Sequence, residues 1–217
     1  MSELTLVIGN KAYSSWSLRP WLAMRVAGIP FREEVIALDQ PETHGRILRH
    51  SPAGLVPVLH DGTLTLWESL SILEYIAERH PEAGLWPDSR ASRAFARTVA
   101  CEMHAGFAAL REAMPMNVRE TLDPGPIPAA VQRDIDRICA LWQDCRSHHR
   151  AGGPFLFGRF TNVDAMFAPV ATRFRTYGVP LDDISARYVQ AIYDLPAMGE
   201  WIADAHQEPW VVERYRK

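Results

Sequence analysis

Residues 54–69 read GLVPVLHDGTLTLWES, and this stretch decides the first half of the fold. An Asp-Gly pair at positions 61 and 62 separates two short β-rich runs, which indicates a tight antiparallel hairpin. Pro57 lies at the start of the first run, a position where a strand tolerates the missing amide donor. Glu68 and Ser69 follow the second run and directly precede an apolar stripe with helical spacing. The stretch therefore predicts two antiparallel strands followed by a helix.

The residues before the hairpin alternate between β-rich and helical patterns. A short β-rich run from Leu4 to Ile8 is followed by apolar residues at helical spacing from Leu18 to Val26. A second β-rich run spans residues 31–38, and a weak polar helix is predicted over residues 42–50. A strand–helix–strand unit requires a parallel pair, whereas the hairpin is antiparallel. Residues 1–80 are therefore predicted to form a thioredoxin-like domain with a mixed four-stranded sheet and helices.

The residues after the hairpin and its helix show helical patterning throughout. Residues 81–89 read PEAGLWPDS, and this concentration of turn formers is typical of a linker. Beyond it, apolar residues recur every three or four positions, most clearly from Phe95 to Met114, from Val131 to Cys145 and from Met198 to Ala205. The predicted fold class is α/β plus all-α, with an all-helical bundle over residues 90–217.

Composition and charge argue against several kinds of partner. The chain has 217 residues, of which 47% are hydrophobic and 23% charged, as is ordinary for a globular protein. Its net charge of −3 gives no reason to expect nucleic acid or an anionic membrane surface. No apolar run approaches the roughly 18 residues that span a bilayer. The first residues lead into a β-rich run without a basic flank, so we expect no signal peptide and a cytoplasmic location.

The cysteines and histidines argue against metal and disulfide chemistry. The three cysteines, Cys101, Cys139 and Cys145, form no CxxC pair and are too sparse for a disulfide scaffold. The eight histidines do not combine with them at metal-ligand spacing. We therefore predict neither a dithiol redox centre nor a bound metal.

A serine-rich loop follows the first predicted strand. Residues 10–17 read NKAYSSWS and end at the start of a predicted helix, where free backbone amides and the helix dipole favour an anion such as a thiolate. Ser17 is the predicted N-cap of this helix. Ser14 and Ser15 either serve the same capping role or contact an anionic ligand.

The hairpin carries a second group of candidate binding residues. A cis bond between Val56 and Pro57 would turn the Val56 backbone outward, where it could pair with an extended peptide. Ser69, at a helix start, suits a carboxylate, and Glu68 can accept an ammonium group. The alternative is that Ser69 caps its helix and Glu68 is a solvated surface residue.

In combination, these features resemble the cytosolic glutathione transferase superfamily over essentially the whole chain. Residues 158–164 read GRFTNVD and look like the Gly-x-x-Ser/Thr-x-x-Asp capping box of the family's second domain. Residues 13–19 read YSSWSLR and are similar to the Ser-Ser-Cys-x-x-Arg segment of zeta-class members, which include maleylacetoacetate isomerases. The resemblance implies glutathione as co-substrate, a homodimer and a cytosolic enzyme.

The resemblance also implies a role for each matching residue. Ser14 would donate a hydrogen bond to the glutathione sulfur, with Ser15 as the alternative. Val56 would pair with the cysteinyl backbone of glutathione, and Pro57 would be the family's cis-proline. Glu68 and Ser69 would hold the γ-glutamyl end.

Two positions depart from the family pattern. Trp16 stands where zeta-class members have cysteine, which counts against isomerase activity. Leu55 stands where some related classes place a lysine toward the glycyl carboxylate, so another cation must serve. The candidates for that cation are Lys11, His44 and Arg46.

The predicted function is conjugation of glutathione to a small, apolar electrophile. The electrophile pocket is predicted between the two halves, with Trp16, Met103, Phe107, Met114 and Arg111 as its lining. Two further arginines, Arg173 and Arg175, either steer an acidic substrate with Arg111 or are solvated surface residues. The alternatives are a glutathione-dependent isomerase and a non-catalytic binding or regulatory protein of the same family. A thiol–disulfide oxidoreductase is disfavoured because the serine loop contains no cysteine.

Overall fold

The computed structural model describes residues 3–148 and 152–215, and its first part contains a mixed four-stranded sheet. The strands are β1 (Leu4–Gly9), β2 (Arg32–Ile36), β3 (Val58–Asp61) and β4 (Leu64–Trp67). Their spatial order is β2-β1-β3-β4, with β1 parallel to β2 and the other two pairs antiparallel. The predicted thioredoxin-like sheet is therefore confirmed, including the hairpin, in which Gly62 adopts the left-handed φ of 57° that such a turn requires.

Three helices accompany the sheet: α1 (Ser15–Val26), α2 (Thr43–Leu48) and α3 (Ser69–Arg79). A short 3-10 turn at Pro81–Ala83 follows, in the segment predicted as a linker. The described residues of the predicted all-helical part contain α4 (Arg90–Ala105), α5 (Ala108–Ala113), α6 (Ala129–His148), α7 (Asn162–Thr176), α8 (Asp183–Tyr193) and α9 (Pro196–Gln207). Within the described residues, every helix is too short or too polar to span a membrane.

The apolar stripe from Phe95 to Met114 is divided between two helices, a break that its spacing did not predict. Helix α4 ends at Ala105, and Phe107 turns the chain with a left-handed φ of 63° before α5. The Arg111 guanidinium donates to the carbonyls of Met103 and His104 and so satisfies acceptors that the end of α4 leaves unpaired. The break places Arg111 against the end of α4.

Helix α7 occupies the centre of the molecule. All but one of its residues are buried, and it packs against α1 of the first half and α4 of the second. The predicted box at its start is present: the Asp164 carboxylate accepts from the Thr161 amide at 2.8 Å and the Thr161 hydroxyl at 3.0 Å. Direct packing of α7 on α1 brings residues of the helical half to the serine loop.

Candidate active site

Ser14 and Ser15 lie at the amino end of α1. Ser14 is the N-cap residue, but its side chain accepts no amide of the first turn, so this helix end stays open to a ligand. Ser17 was the predicted N-cap, and that prediction is wrong because Ser17 is the third residue of the helix. The Ser17 Oγ accepts the Gly9 amide at 3.1 Å and lies 2.7 Å from the Ser14 Oγ. A buried pair of hydroxyls therefore stands where the sequence indicated a simple cap.

Two cavities meet at Trp16. The first, of about 320 Å³, is lined by Trp16, the segment from Leu55 to Pro57, the segment from Trp67 to Ser69, and His104. The second, of about 310 Å³, is lined by Ser14, Ser15 and Trp16 together with Arg111 and Arg173, among others. Trp16, Leu55 and Val56 line both cavities. The predicted binding residues of the first half are thus brought together around one bipartite cleft.

The first cavity contains the residues proposed for the peptide backbone and the amino-acid end. The Val56–Pro57 bond is cis, as the resemblance implied. Glu68 adopts an uncommon φ of 70° immediately before α3, and Ser69 is the first residue of that helix. The Ser69 hydroxyl accepts from the Arg19 guanidinium at 3.3 Å. A carboxylate acceptor and a hydroxyl therefore line this end of the cleft, and the buried guanidinium of Arg19 is bonded to the hydroxyl.

His104 is a site residue that the sequence analysis missed. Its ring packs edge-on against Trp16 at 5.3 Å, and its Nε2 lies 3.4 Å from the Glu68 carboxylate. Burial, followed by the positive charge of Arg19, lowers the pKa of His104, which favours the neutral imidazole. No local pattern marks this histidine, because only the packing of α4 on α3 brings it to the cleft.

The second cavity has a basic wall. The Arg173 guanidinium donates to the Ser15 Oγ at 3.3 Å, and Arg111 lies over the Trp16 ring at 4.8 Å. Arg19 lies over the same ring at 4.2 Å. Burial, followed by the charge of Arg111, lowers the pKa of Arg173 to about 10. Burial likewise lowers the pKa of Arg19, and the charges of the other two arginines lower it further.

Three predicted pocket residues lie elsewhere. Met103, Phe107 and Met114 are buried in the main hydrophobic core, and none of them lines either cavity. Met103 lies on the face of α4 that packs on α7, whereas Phe107 and Met114 flank α5, which packs on α6. Arg175 is exposed and donates to Gln190, so it also lies outside the cleft.

Of the three candidate cations for a glycyl carboxylate, His44 and Arg46 remain. Lys11 is buried, and its ammonium group pairs with Asp204 at 2.6 Å and Glu33 at 2.9 Å. His44 is exposed beside Gly54, a residue that lines the second cavity. Arg46 donates to the Val35 carbonyl at 3.5 Å. His44 is therefore the better placed of the remaining candidates.

The described residues include no group of three or more His, Cys, Asp or Glu side chains that could hold a metal ion. The three cysteines are unpaired, and burial raises the pKa of Cys145 to about 12. A thiol with so high a pKa is a poor nucleophile.

Two models of protein families match the chain. The model described as the glutathione S-transferase N-terminal domain matches residues 13–79, and that of the C-terminal domain matches residues 102–204. The maleylacetoacetate isomerase of Rhizobium meliloti is 30% identical over 190 residues, covering 77% of this chain and 81% of that protein. The probable maleylacetoacetate isomerase of Vibrio cholerae is 30% identical over 108 residues, 46% of this chain and 50% of that one.

The chain spans half or less of the length of the first four curated relatives it matches. Among solved structures, a Burkholderia glutathione transferase homologue with bound glutathione superposes with a TM-score of 0.70. The superposition covers 94% of this chain and 98% of that one at 22% identity, so the likeness concerns the fold.

Proposed function

Because the chain belongs to the glutathione S-transferase superfamily, we propose that it is a glutathione transferase in which the Ser14 hydroxyl stabilises the glutathione thiolate. The thiolate attacks an electrophilic small molecule held in the second cavity. The observation that carries the proposal is the place of Ser14, buried at an uncapped helix start and lining that cavity.

The energy required for thiolate formation is within reach of these groups. A free thiol with a pKa near 8.5 is mostly protonated at neutral pH, and lowering that value by about two units requires about 2.7 kcal/mol. A hydrogen bond to a charged group contributes about 1.5–3 kcal/mol. The open end of the helix dipole adds to this. The Ser14 hydroxyl and the helix end therefore suffice without a general base.

Each part of glutathione has proposed contacts in the first half of the chain. Glu68 accepts the γ-glutamyl ammonium group, and Ser69 with Arg19 binds the adjoining carboxylate. Val56 supports this placement because its amide and carbonyl have no hydrogen-bond partner among the described residues and can pair with the cysteinyl backbone. His44 is the proposed partner of the glycyl carboxylate.

A glutathione-dependent isomerase is the second candidate, favoured by the alignment with the Rhizobium meliloti maleylacetoacetate isomerase. Trp16 counts against it, because it occupies the position of the zeta-class cysteine. Glutathione consumption separates the two: a transferase uses one glutathione for each product, whereas an isomerase releases it unchanged.

The homodimer implied by the resemblance remains a prediction. Exposed apolar side chains at Leu55, Leu64 and Trp67 provide surface that a second copy could cover.

The test of the serine assignment is the absorbance of enzyme-bound thiolate as a function of pH. We expect Ser14→Ala to raise the pKa of the bound thiol by about one to two units and to lower kcat/KM by roughly ten- to hundred-fold. Ser89→Ala is the matched control, because Ser89 caps the exposed start of α4 far from the cleft. Full thiolate formation in both Ser14→Ala and Ser15→Ala would show that serine is not the stabilising group.

A further inference from the structure

The second cavity holds two cations that the proposed binding of glutathione does not use. All proposed contacts of glutathione come from residues 1–80, whereas Arg111 belongs to α5 and Arg173 to α7. Both arginines line the same cavity as Ser14 and Ser15. These two arginines are therefore available to a ligand group other than glutathione.

Arg173 is a buried cation that has no counter-ion within the described residues. Only 6% of the residue is exposed, and its guanidinium donates to neutral acceptors: the Met114 carbonyl at 2.9 Å, the Pro169 carbonyl at 3.2 Å and the Ser15 hydroxyl at 3.3 Å. The described residues place no carboxylate in an ion pair with it. Burying an unpaired charge is costly, and a bound anion would remove that cost.

Arg111 strengthens the same positive field. Its bonds to the Met103 and His104 carbonyls use one nitrogen of the guanidinium, and the rest of the group has no hydrogen-bond partner within the described residues. Its charge also helps to lower the pKa of Arg173, as expected for like charges close together. Asp134 is the acidic group that acts on Arg111, through its charge rather than through an ion pair.

A carboxylate fits this arrangement better than an apolar group. The planar fork of a guanidinium matches the two oxygens of a carboxylate, and two arginines line one cavity of about 310 Å³. Pro115, Met116 and Val212 are among the other residues that line this cavity, and they can contact the apolar body of an organic acid.

We propose that the second substrate carries a carboxylate, bound by Arg111 and Arg173 beside Ser15. This inference rests on the proposed function, and it replaces the apolar electrophile expected from the sequence. Because Ser15 adjoins Ser14, the carboxylate lies within a few bonds of the carbon that the glutathione sulfur attacks.

The test uses two stable conjugates of glutathione that differ in the charge of the group attached next to the sulfur. S-(carboxymethyl)glutathione carries a carboxylate one carbon from the sulfur, and S-(carbamoylmethyl)glutathione carries the neutral amide of the same shape. Calorimetric titration gives the Kd of each. We expect the wild type to bind the acid about ten-fold or more tightly than the amide, since charge-assisted hydrogen bonds to a carboxylate are the strong ones.

The arginine variants assign this preference to its residues. Arg111→Met and Arg173→Met should each reduce the ratio of the two Kd values toward one while glutathione itself still binds. Arg175→Met is the matched control, because Arg175 lies on α7 but is exposed and donates to Gln190. It should keep the full preference. If Arg173→Met does not fold, since Arg173 also bonds two backbone carbonyls, Arg111→Met decides the question.

Equal affinity of the wild type for the acid and the amide would overturn the inference and leave the transferase proposal standing. A preference unchanged in Arg111→Met, or lost equally in Arg175→Met, would also overturn it. Failure of the wild type to bind glutathione itself would instead contradict the proposed function.

Discussion

At the scale of single residues, Ser17 has a role other than the helix cap that the sequence predicted for it. The Ser14 hydroxyl donates to the Ser17 Oγ at 2.7 Å, and the same Oγ accepts the amide of Gly9 at 3.1 Å. When the Ser14 hydroxyl donates to a bound sulfur instead, the Ser17 hydroxyl can turn its own hydrogen toward the Ser14 Oγ and keep Ser14 in place. Ser17 therefore acts as a positioning residue for Ser14 rather than as the cap of α1.

Replacing Ser17 with alanine should weaken thiolate formation through Ser14. We expect the pKa of the bound thiol to rise by about half a unit to one unit, and the free energy of unfolding to fall by about 1 kcal/mol because the Gly9 amide loses its acceptor. The double variant Ser14→Ala/Ser17→Ala should show the same thiol pKa as Ser14→Ala alone, measured by thiolate absorbance. Additive effects of the two changes would contradict this coupling.

Trp16 organises the charged groups of the cleft. The guanidinium carbons of Arg19 and Arg111 lie 4.2 and 4.8 Å from the centre of its ring, which also contacts His104 edge-on. The electron-rich ring faces attract both cations and so partly offset their mutual repulsion. A small residue at this position would leave the two arginines without that shared partner.

At the scale of elements, the start of α7 depends on a buried carboxylate. Asp164 accepts from the Leu156 amide at 3.1 Å as well as from Thr161, and its residue is fully buried. Burial raises the pKa of Asp164 to about 6 from the usual 3.8, and the hydrogen bonds from Leu156 and Thr161 act against that rise. The folded protein therefore binds this proton more tightly than the unfolded chain does.

The raised pKa of Asp164 should make the free energy of unfolding depend on pH. Because the folded-state pKa is raised, the wild type should lose stability relative to Asp164→Asn as pH rises from about 4 to about 6, and the difference should be constant above that range. The slope is at most about 1.4 kcal/mol per pH unit. Urea denaturation of both proteins across this range measures it.

Asp182, the N-cap residue of α8, serves as the control, because its pKa is shifted in the opposite direction to that of Asp164. Partial burial acts to raise the pKa of its carboxyl, but hydrogen bonds from Ser185 and Ile184 outweigh it, and the net pKa is lowered. The stability of the wild type relative to Asp182→Asn should therefore fall as pH falls toward the acid range. Identical slopes for the two variants would refute the assignment of Asp164.

At the scale of the whole molecule, the C-terminal segment holds the serine loop in place. The Glu208 carboxylate accepts the Lys11 amide at 2.6 Å and the Ala12 amide at 3.1 Å, and it pairs with Arg119 at 3.5 Å. Arg119 also donates to the carbonyls of Ala205 and Trp210. Residues far apart in the chain thus fix the backbone that precedes Ser14.

Glu208→Ala should cost about 2–4 kcal/mol in the free energy of unfolding, because two backbone amides and a guanidinium lose their acceptor. It should also weaken glutathione binding through the loosened loop. Glu200→Ala is the matched control, since Glu200 forms an exposed pair with Arg25 and should change stability by less than about 1 kcal/mol. Urea unfolding and glutathione titration of both variants test this, and equal effects would contradict the role of Glu208.

The amino-acid sequence determined the elements of the first half and their order, and it indicated the helical character of the second half. The Asp-Gly turn, the β-rich runs and the helical stripes are local signals, because turn geometry and side-chain periodicity depend on neighbouring residues alone. The same local signals marked the serines at the start of α1, the residues at the start of α3 and the box at Asp164.

Tertiary packing decided which side chains face the cleft. Arg173 reaches Ser15 because α7 packs on α1, and Arg111, on α5, reaches the ring of Trp16. His104 reaches Glu68 because α4 lies beside α3. Met103 and Phe107, which the sequence placed on one helical stripe, lie on either side of a helix break, and both are buried in the core. Periodicity tells which residues share a helix face, and it does not tell what that face meets, since the contacts join residues far apart in the chain.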